Sequence, residues 1–230
     1  MFKYGIKYKT DKITHHGYER FYDFYLNYYK YKKVKLFEIG IDAGRSLKMW
    51  NDMFQSGQIY GMDIDHEYEH EKGKIYKGDQ NSKKDLDKII KEIKNVDIII
   101  DDGSHKPEHQ LFTFNYLFNR FLKFDGLYII EDIETSYWRN GKLYNYKIDA
   151  GYDKKNNIVK IFREIADIVN REFLTPENKE TIENYNNFDY DILKYISSIT
   201  FGSNCIIVKK MSKEEYKKYG NRVYRFKKCL

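Results

Sequence analysis

Two short apolar runs in this chain end in acids. Residues 97–105 read Asp-Ile-Ile-Ile-Asp-Asp-Gly-Ser-His, and residues 128–132 read Tyr-Ile-Ile-Glu-Asp. Such a run is what a strand buried on both faces looks like as it leaves a parallel sheet. In an open α/β sheet, ligands lie outside the carboxyl ends of the strands. Asp101, Asp102, His105, Glu131 and Asp132 are therefore expected to converge on one crevice. Carboxylate oxygens suit a hard divalent cation, and histidine suits general-base work near neutral pH. Other chemistries stay open at this point. His105 and His109, four residues apart, could share a helix face as zinc ligands, although no third histidine or cysteine is near them. Together with Asp102 they also form a two-histidine, one-carboxylate set of the kind that holds iron. A lone aspartate at a strand end is otherwise commonly a cap.

Earlier strand ends carry further candidates. Residues 36–46 read Leu-Phe-Glu-Ile-Gly-Ile-Asp-Ala-Gly-Arg-Ser. Glycines at a strand-to-helix turn let a ligand approach the backbone, or simply make a tight turn. The spacing differs from G-x-G-x-x-G. Glu38, two residues before Gly40, is a poor neighbour for a pyrophosphate and a good one for an amino group. Asp63 follows Gly44 by 19 residues, the place where nucleotide-binding α/β folds put the acid that holds ribose hydroxyls. Asp65 could be a helix or turn cap. Asp79, in Gly78-Asp79-Gln80, could accept a hydrogen bond from an adenine amino group or cap the next helix. Asp11 and Lys12 could close over a ligand, meet a neighbouring subunit, or lie in a free loop. Tyr137 and Trp138 could stack on a sugar ring or cap the core.

The elements that must position these residues alternate. Strands are expected at 34–41, 58–64, 74–77, 96–100 and 126–130. Helices are expected at 46–54, at 82–94, and from Pro107 to about residue 122, with the proline in a first turn where a missing N–H costs nothing. An amphipathic helix at 17–33 precedes them, with Phe21, Phe24, Tyr25 and Tyr28 at helical spacing. After residue 133 the pattern lapses into a long polar insertion containing a helix at 158–173. Strands at 192–201 and 205–209, joined by Gly202-Ser203-Asn204, make an antiparallel pair at the sheet edge. The expected fold is a Rossmann-like, doubly wound, mostly parallel α/β sheet with an antiparallel edge strand pair and a lid-like insertion. It is read as one domain over 1–230: an N-terminal helical segment (1–33), a core (34–133), the insertion or lid (134–190) and the final strand pair (191–210).

Together these pieces resemble the class I S-adenosyl-methionine-dependent methyltransferases. More narrowly, the chain resembles the metal-dependent sugar O-methyltransferases that act on macrolide deoxysugars and on bacterial or viral glycans. Cephalosporin-hydroxylase-like proteins share the motifs. The matching residues are Thr10-Asp11-Lys12, Tyr18, Phe37 to Gly40 with Gly44 to Leu47, Gly61 to Ile64, Gly78 to Gln80, Asp101 to His105, His109-Gln110, Gly126 to Tyr128, Glu131-Asp132 and Thr135 to Trp138. They span roughly residues 5–140, and the likeness returns at the last strand pair.

The resemblance implies that 34–133 is the cofactor-binding core. Glu38, Gly40, Gly44 and Ser46 would hold the methionine part of S-adenosyl-methionine, Asp63 the ribose and Asp79 the adenine, with Thr10, Lys12, Gln80 and Asp101 as further cofactor contacts. Asp102, Glu131 and Asp132 would hold magnesium or manganese, and His105, with Asp102, would be catalytic as the general base. The implied reaction is methyl transfer to a sugar hydroxyl of a saccharide or nucleotide-sugar acceptor or glycan precursor, by a homo-oligomer. The chemistry agrees. Methyl transfer is an in-line displacement, so the enzyme must align the nucleophile and remove its proton. A divalent cation chelated by neighbouring hydroxyls acidifies one of them. The rival readings are an iron and oxygen enzyme of the hydroxylase type and a non-catalytic accessory protein on the same scaffold. An RNA methyltransferase ranks below them, because Asp101 to Ser104 stands where base N-methyltransferases often carry Asn/Asp-Pro-Pro-aromatic.

Composition sets the bounds. At 230 residues, 41% apolar and 33% charged, the chain is long enough for one α/β domain with a proper core. The net charge is +6, but its lysines are spread and no arginine-rich arm or aromatic RNA-binding motif accompanies them, so no nucleic-acid partner is expected. Two cysteines, Cys205 and Cys229, exclude a disulfide scaffold and point to a reducing, cytoplasmic setting. Neither a signal-peptide core nor a membrane-spanning apolar run is present, so no membrane partner is expected.

Overall fold

The computed structural model describes residues 1–139, 148, 150–152, 154–170, 173 and 190–220. Eight strands form one sheet: β1 (Lys35–Ile39), β2 (Gln58–Asp63), β3 (Tyr68–His70), β4 (Gly73–Lys77), β5 (Val96–Asp101), β6 (Leu122–Glu131), β7 (Ile196–Gly202) and β8 (Cys205–Lys210). Their order is β3-β4-β2-β1-β5-β6-β8-β7. The five strands from β4 to β6 are parallel. β8 runs antiparallel to β6, and β7 to β8, as the last strand pair predicted. β3 adds a short antiparallel edge on β4.

Helices cover both faces. α1 (Phe2–Tyr8), α2 (Asp11–Thr14), α3 (Glu19–Leu26) and α4 (Arg45–Met53) serve one, and α5 (Lys83–Ile93), α6 (Pro107–Arg120) and α7 (Ile158–Val169) the other. Side chains alternate across each strand. Phe37, Ile39, Ile99, Tyr128 and Ile130 therefore pack with Phe114, Phe118 and Phe162, while Leu36, Ile98, Ile100 and Ile129 pack with Tyr22, Trp50 and Phe54. Local signals start the helices. The Ser82 side chain accepts from the Asp85 N–H at the start of α5, the Asn157 side chain does the same for Lys160 in α7, and Pro107 opens α6.

The register fixes the site. Met62, Ile39, Asp101 and Ile130 pair in one row across β2, β1, β5 and β6. The residues that follow them, Asp63, Gly40, Asp102 and Glu131, stand together at the carboxyl edge of the sheet.

Several expected boundaries differ. The segment 17–33 is helical only over α3, and α1 and α2 precede it. The aromatic periodicity there misled because Phe24, Tyr28 and Tyr31 face solvent. β3 went unread because three largely exposed residues carry no burial pattern. The strand expected at 192–201 starts later, at Ile196, because Tyr190–Leu193 form a helical turn. β6 starts earlier than expected, at Leu122. About half of the 134–190 insertion lies outside the described residues, as does Cys229. The described part includes α7, whose Ile158, Ile161, Phe162, Ile165 and Ile168 are packed into the core.

One lysine belongs to this packing. Lys210 ends β8 almost wholly buried, donating to the carbonyls of Phe118 (2.7 Å) and Leu122 (2.9 Å) near the end of α6. Burial pushes its pKa down from 10.5 to about 8. The unfolded chain therefore holds more protons than the native one between those values, and stability contributed at this site rises with pH across that window. Urea melts at pH 7.5 and 10 should show wild type gaining roughly 1–3 kcal/mol relative to Lys210→Met. A constant difference between the two proteins would refute the assignment.

Candidate active site

A cleft of about 640 Å³ opens at the carboxyl edge of the parallel strands, within the range of small-molecule sites. Gly40, Ser46, Asp63, Asp79, Gln80, Asp102, His105 and Asp132 line it, together with Thr10 and Asp11 from the N-terminal segment. Its floor depends on a close backbone crossing. Gly40 has φ +84°, and a Cβ there would lie 1.9 Å from the Asp102 carbonyl oxygen. That contact lets the turn after β1 pack directly on the turn after β5, where Asp102 N–H donates to Ile39 O at 2.9 Å. Gly44, at φ +70°, starts α4 with open space around it apart from the Tyr68 hydroxyl at 3.3 Å.

Asp63 ties two turns together. One oxygen accepts from the N–H groups of Ile41 (3.0 Å) and Asp42 (3.2 Å), the other from those of Asp65 (2.9 Å) and His66 (3.2 Å). Partial burial pushes its pKa up, but these backbone donors prevail and hold the carboxyl below its ordinary value. Asp79 lines the cleft and accepts from the Asn81 N–H at 2.8 Å. It is not the cap of α5, which is Ser82. Gln80 links Asp101 (3.1 Å) to the Ser104 N–H (2.6 Å) and so orders the turn before His105.

Asp101 itself faces inward. It is fully buried and takes hydrogen bonds from Gln80 and Thr113. Glu38 is also fully buried, with one oxygen on the Ser46 hydroxyl at 2.7 Å. Lys12, expected among the cofactor contacts, lies behind the cleft wall. Its ammonium sits 2.5 Å from Asp102 Oδ2, 2.5 Å from Glu131 Oε2 and 3.3 Å from Glu38 Oε1. Glu131 gives its other oxygen to the Tyr22 hydroxyl at 2.6 Å. Both of its oxygens are thus engaged away from the cleft.

Asp132, at φ +53°, is buried and lines the cleft. Its Oδ1 accepts from Tyr18 (2.7 Å) and from Asn204 Nδ2 (3.0 Å), and lies 3.4 Å from His16 Nε2. Its Oδ2 lies 3.7 Å from His105 Nε2. His105 is also left-handed at φ +56° and is fixed by the Thr135 hydroxyl donating to its carbonyl at 2.5 Å. Among the described residues, Asp102, His105 and Asp132 form the group whose ligating atoms all lie within 4.8 Å of one another. His109 is outside that group and pairs its Nδ1 with the Ser104 hydroxyl at 2.9 Å. The two-histidine zinc and iron sets are therefore not assembled here.

Burial pushes the Asp102 pKa up to about 7, against the pull of Lys12 and His105 and with the help of Asp132 and Glu38. Burial likewise holds Glu131 well above the carboxylate range in spite of Lys12. The acids are thus poorly compensated, which is the electrostatic condition for taking up a cation.

Of the residues that the sequence singled out, the structure brings Asp102, His105 and Asp132 together. Sequence reasoning gave no role to His16, Tyr22 or Asn204. Tyr18 and Tyr22 are four apart on one helical face, but nothing local shows that this face meets acids more than a hundred residues away.

Comparison with known proteins places this edge. No family model matches the chain. Over 143 residues it is 34% identical to the 8-demethyl-8-alpha-L-rhamnosyl tetracenomycin-C 2'-O-methyltransferase of Streptomyces olivaceus, covering 58% of this chain and 38% of that protein. Over 132 residues it is 38% identical to the mycinamicin VI 2''-O-methyltransferase of Micromonospora griseorubida, covering 54% and 33%. Its relatives are sugar O-methyltransferases. The sheet also superposes on the MycE methyltransferase of the mycinamycin pathway, solved with Mg and SAH, at TM-score 0.79 and 26% identity, over 97% of this chain and 56% of that one. The fold is therefore the class I methyltransferase fold. The chain spans about a third of the length of the curated relatives it matches.

The glycine crossing can be checked directly. Gly40→Ala should destabilise by more than about 2 kcal/mol, since it combines a backbone overlap with left-handed strain. Gly44→Ala, with open space, should cost about 1 kcal/mol. Equal thermal shifts for the two variants would contradict the crossing.

Proposed function

We propose that this chain is the catalytic domain of an S-adenosyl-methionine-dependent O-methyltransferase that methylates a sugar hydroxyl with the aid of a divalent cation, magnesium or manganese. The observation that carries the reading is the convergence of Asp102, His105 and Asp132 on a cleft floored by the Gly40 turn. The residues fit both groups. Two carboxylates and an imidazole within 4.8 Å of one another suit a divalent ion. For the cofactor, the cleft wall carries Ser46, Asp63 and Asp79 around the side-chain-free Gly40 turn, with Glu38 buried behind Ser46 and paired with Lys12 at 3.3 Å.

When bound, the cofactor supplies an electrophilic methyl group and the cation acidifies the acceptor hydroxyl. The chain's own residues do the rest. Gly40, Gly44, Glu38 and Ser46 shape the end of the cleft nearest β1, Asp63 orders the two turns that would flank a ribose, and Asp79 and Gln80 border the far end. Asp102 and Asp132 would hold the cation, while Glu131, expected beside them as a third ligand, has its oxygens on Lys12 and Tyr22. His105 takes the hydroxyl proton, and the nearby Asp132 carboxylate favours the imidazolium that results. The acceptor is a saccharide, in the form of a nucleotide-sugar or glycan precursor. The proposed assembly is a homo-oligomer, for which Phe24 and Tyr31, 83% and 86% exposed, mark a candidate contact face. No helix among the described residues is long and apolar enough to cross a membrane.

Calorimetry should show S-adenosyl-homocysteine binding, and a panel of nucleotide-sugars should show one acceptor whose turnover needs the cation. His105→Ala should then lower kcat on the order of 100-fold or more with cofactor affinity unchanged. Full activity in that variant would remove the base assignment, and no cofactor binding would remove the methyltransferase reading.

A further inference from the structure

Lys12 is an unusual place for a lysine. Its side chain is 1% exposed, and an ammonium so placed is costly unless anions surround it. Three do, and two of them are at 2.5 Å. Those two contacts consume Asp102 Oδ2 and Glu131 Oε2. Asp102 is also one of the residues whose open oxygens meet His105 and Asp132. One carboxylate is therefore shared between the lysine and the candidate cation site.

The same short segment touches the other acid of the site. Tyr18 donates to Asp132, and His16 lies beside it. Thr10 and Asp11, immediately before Lys12, form part of the cleft wall. The lysine is carried by α2, a helix of four residues bounded by Thr10 and His15. Residues 10–18 thus form a strap laid over the acids, tied to them by Lys12 and Tyr18 and to the core by Ile13 and Tyr18.

Resting on the metal reading above, we propose that Lys12 is an internal stand-in for the divalent cation. In the metal-free protein its ammonium keeps Asp102 and Glu131 from repelling one another and keeps the acid edge assembled. A divalent ion entering at Asp102 and Asp132 places a second positive centre on the same carboxylate. Two cations a few ångströms apart in a partly desolvated site repel strongly. The lysine is the one that gives way, because it is held by a single helical turn. Cation uptake is therefore an exchange, and it loosens the strap at residues 10–18 that borders the cleft.

The exchange makes wild-type affinity for the metal lower than the acids alone would give. Titration calorimetry with Mn2+ should show Lys12→Met binding at least about tenfold tighter than wild type, because a repelling and competing charge is gone. Lys12→Arg, which keeps the charge, should bind no tighter than wild type. Hydrogen exchange on the unmodified protein supplies a second readout that holds even if Lys12→Met fails to fold: backbone amides of residues 10–18 should exchange faster when Mg2+ is added. Equal or weaker Mn2+ binding by Lys12→Met, or unchanged or slower exchange in the strap, would overturn the proposal while leaving the metal site standing. Absence of divalent binding in wild type and both variants would instead remove the metal reading and the proposal with it.

Discussion

Four carboxylates meet at one edge of this sheet, and the surrounding structure is organised around keeping them there. Glu38, Asp102, Glu131 and Asp132 are brought together by register alone, since they lie on or just beyond adjacent parallel strands. Like charges in a desolvated place repel, so the fold supplies donors to each. Ser46 serves Glu38, Lys12 and Tyr22 serve Glu131, Tyr18 and Asn204 serve Asp132, and Lys12 serves Asp102. Those donors come from α2, α3, α4, the residue before α3 and the β7–β8 turn. The N-terminal helices and the last hairpin are thus tied to the core by the same charges that give the cleft its chemistry.

The central architecture was legible because parallel strands buried on both faces must be written as continuous apolar runs, and Ile98 to Ile100 and Tyr128 to Ile130 are such runs. Acids directly after them could only emerge at the carboxyl edge. The N-terminal region was less legible for a physical reason. The aromatic residues of 21–31 follow helical spacing, yet Phe24, Tyr28 and Tyr31 are exposed while Tyr18 and Tyr22 are fully buried. Period alone does not say which face meets the core. Lys12 was the hardest residue to place, because its partners stand 90 and 119 positions away and lysine is ordinarily a surface residue. Asp101 was misplaced among the cofactor contacts for a related reason: adjacent residues at a strand end point to opposite sides, so only Asp102 of the pair reaches the cleft.

The likeness to sugar O-methyltransferases extends further in structure than in sequence. Sequence matches cover little more than half of the chain, whereas the structural match to the mycinamycin-pathway enzyme covers 97% of it. Beyond Asp132 the chain continues into the turn Ile133–Tyr137, where Tyr137 is exposed.

The hairpin turn at Asn204 gives the site a history in time. Asn204 holds Asp132 through its side chain, receives Tyr18 on its carbonyl, and accepts the N–H groups of Ile133 and Glu134. A chain made on the ribosome from its N-terminus has every acid of the cluster in place long before this residue exists. Until β8 has been synthesised, Asp132 lacks one of its anchors and β6 is still an open sheet edge. The pocket therefore matures late, and a nascent domain that has already wound its parallel strands is still without the final wall of its acidic pocket.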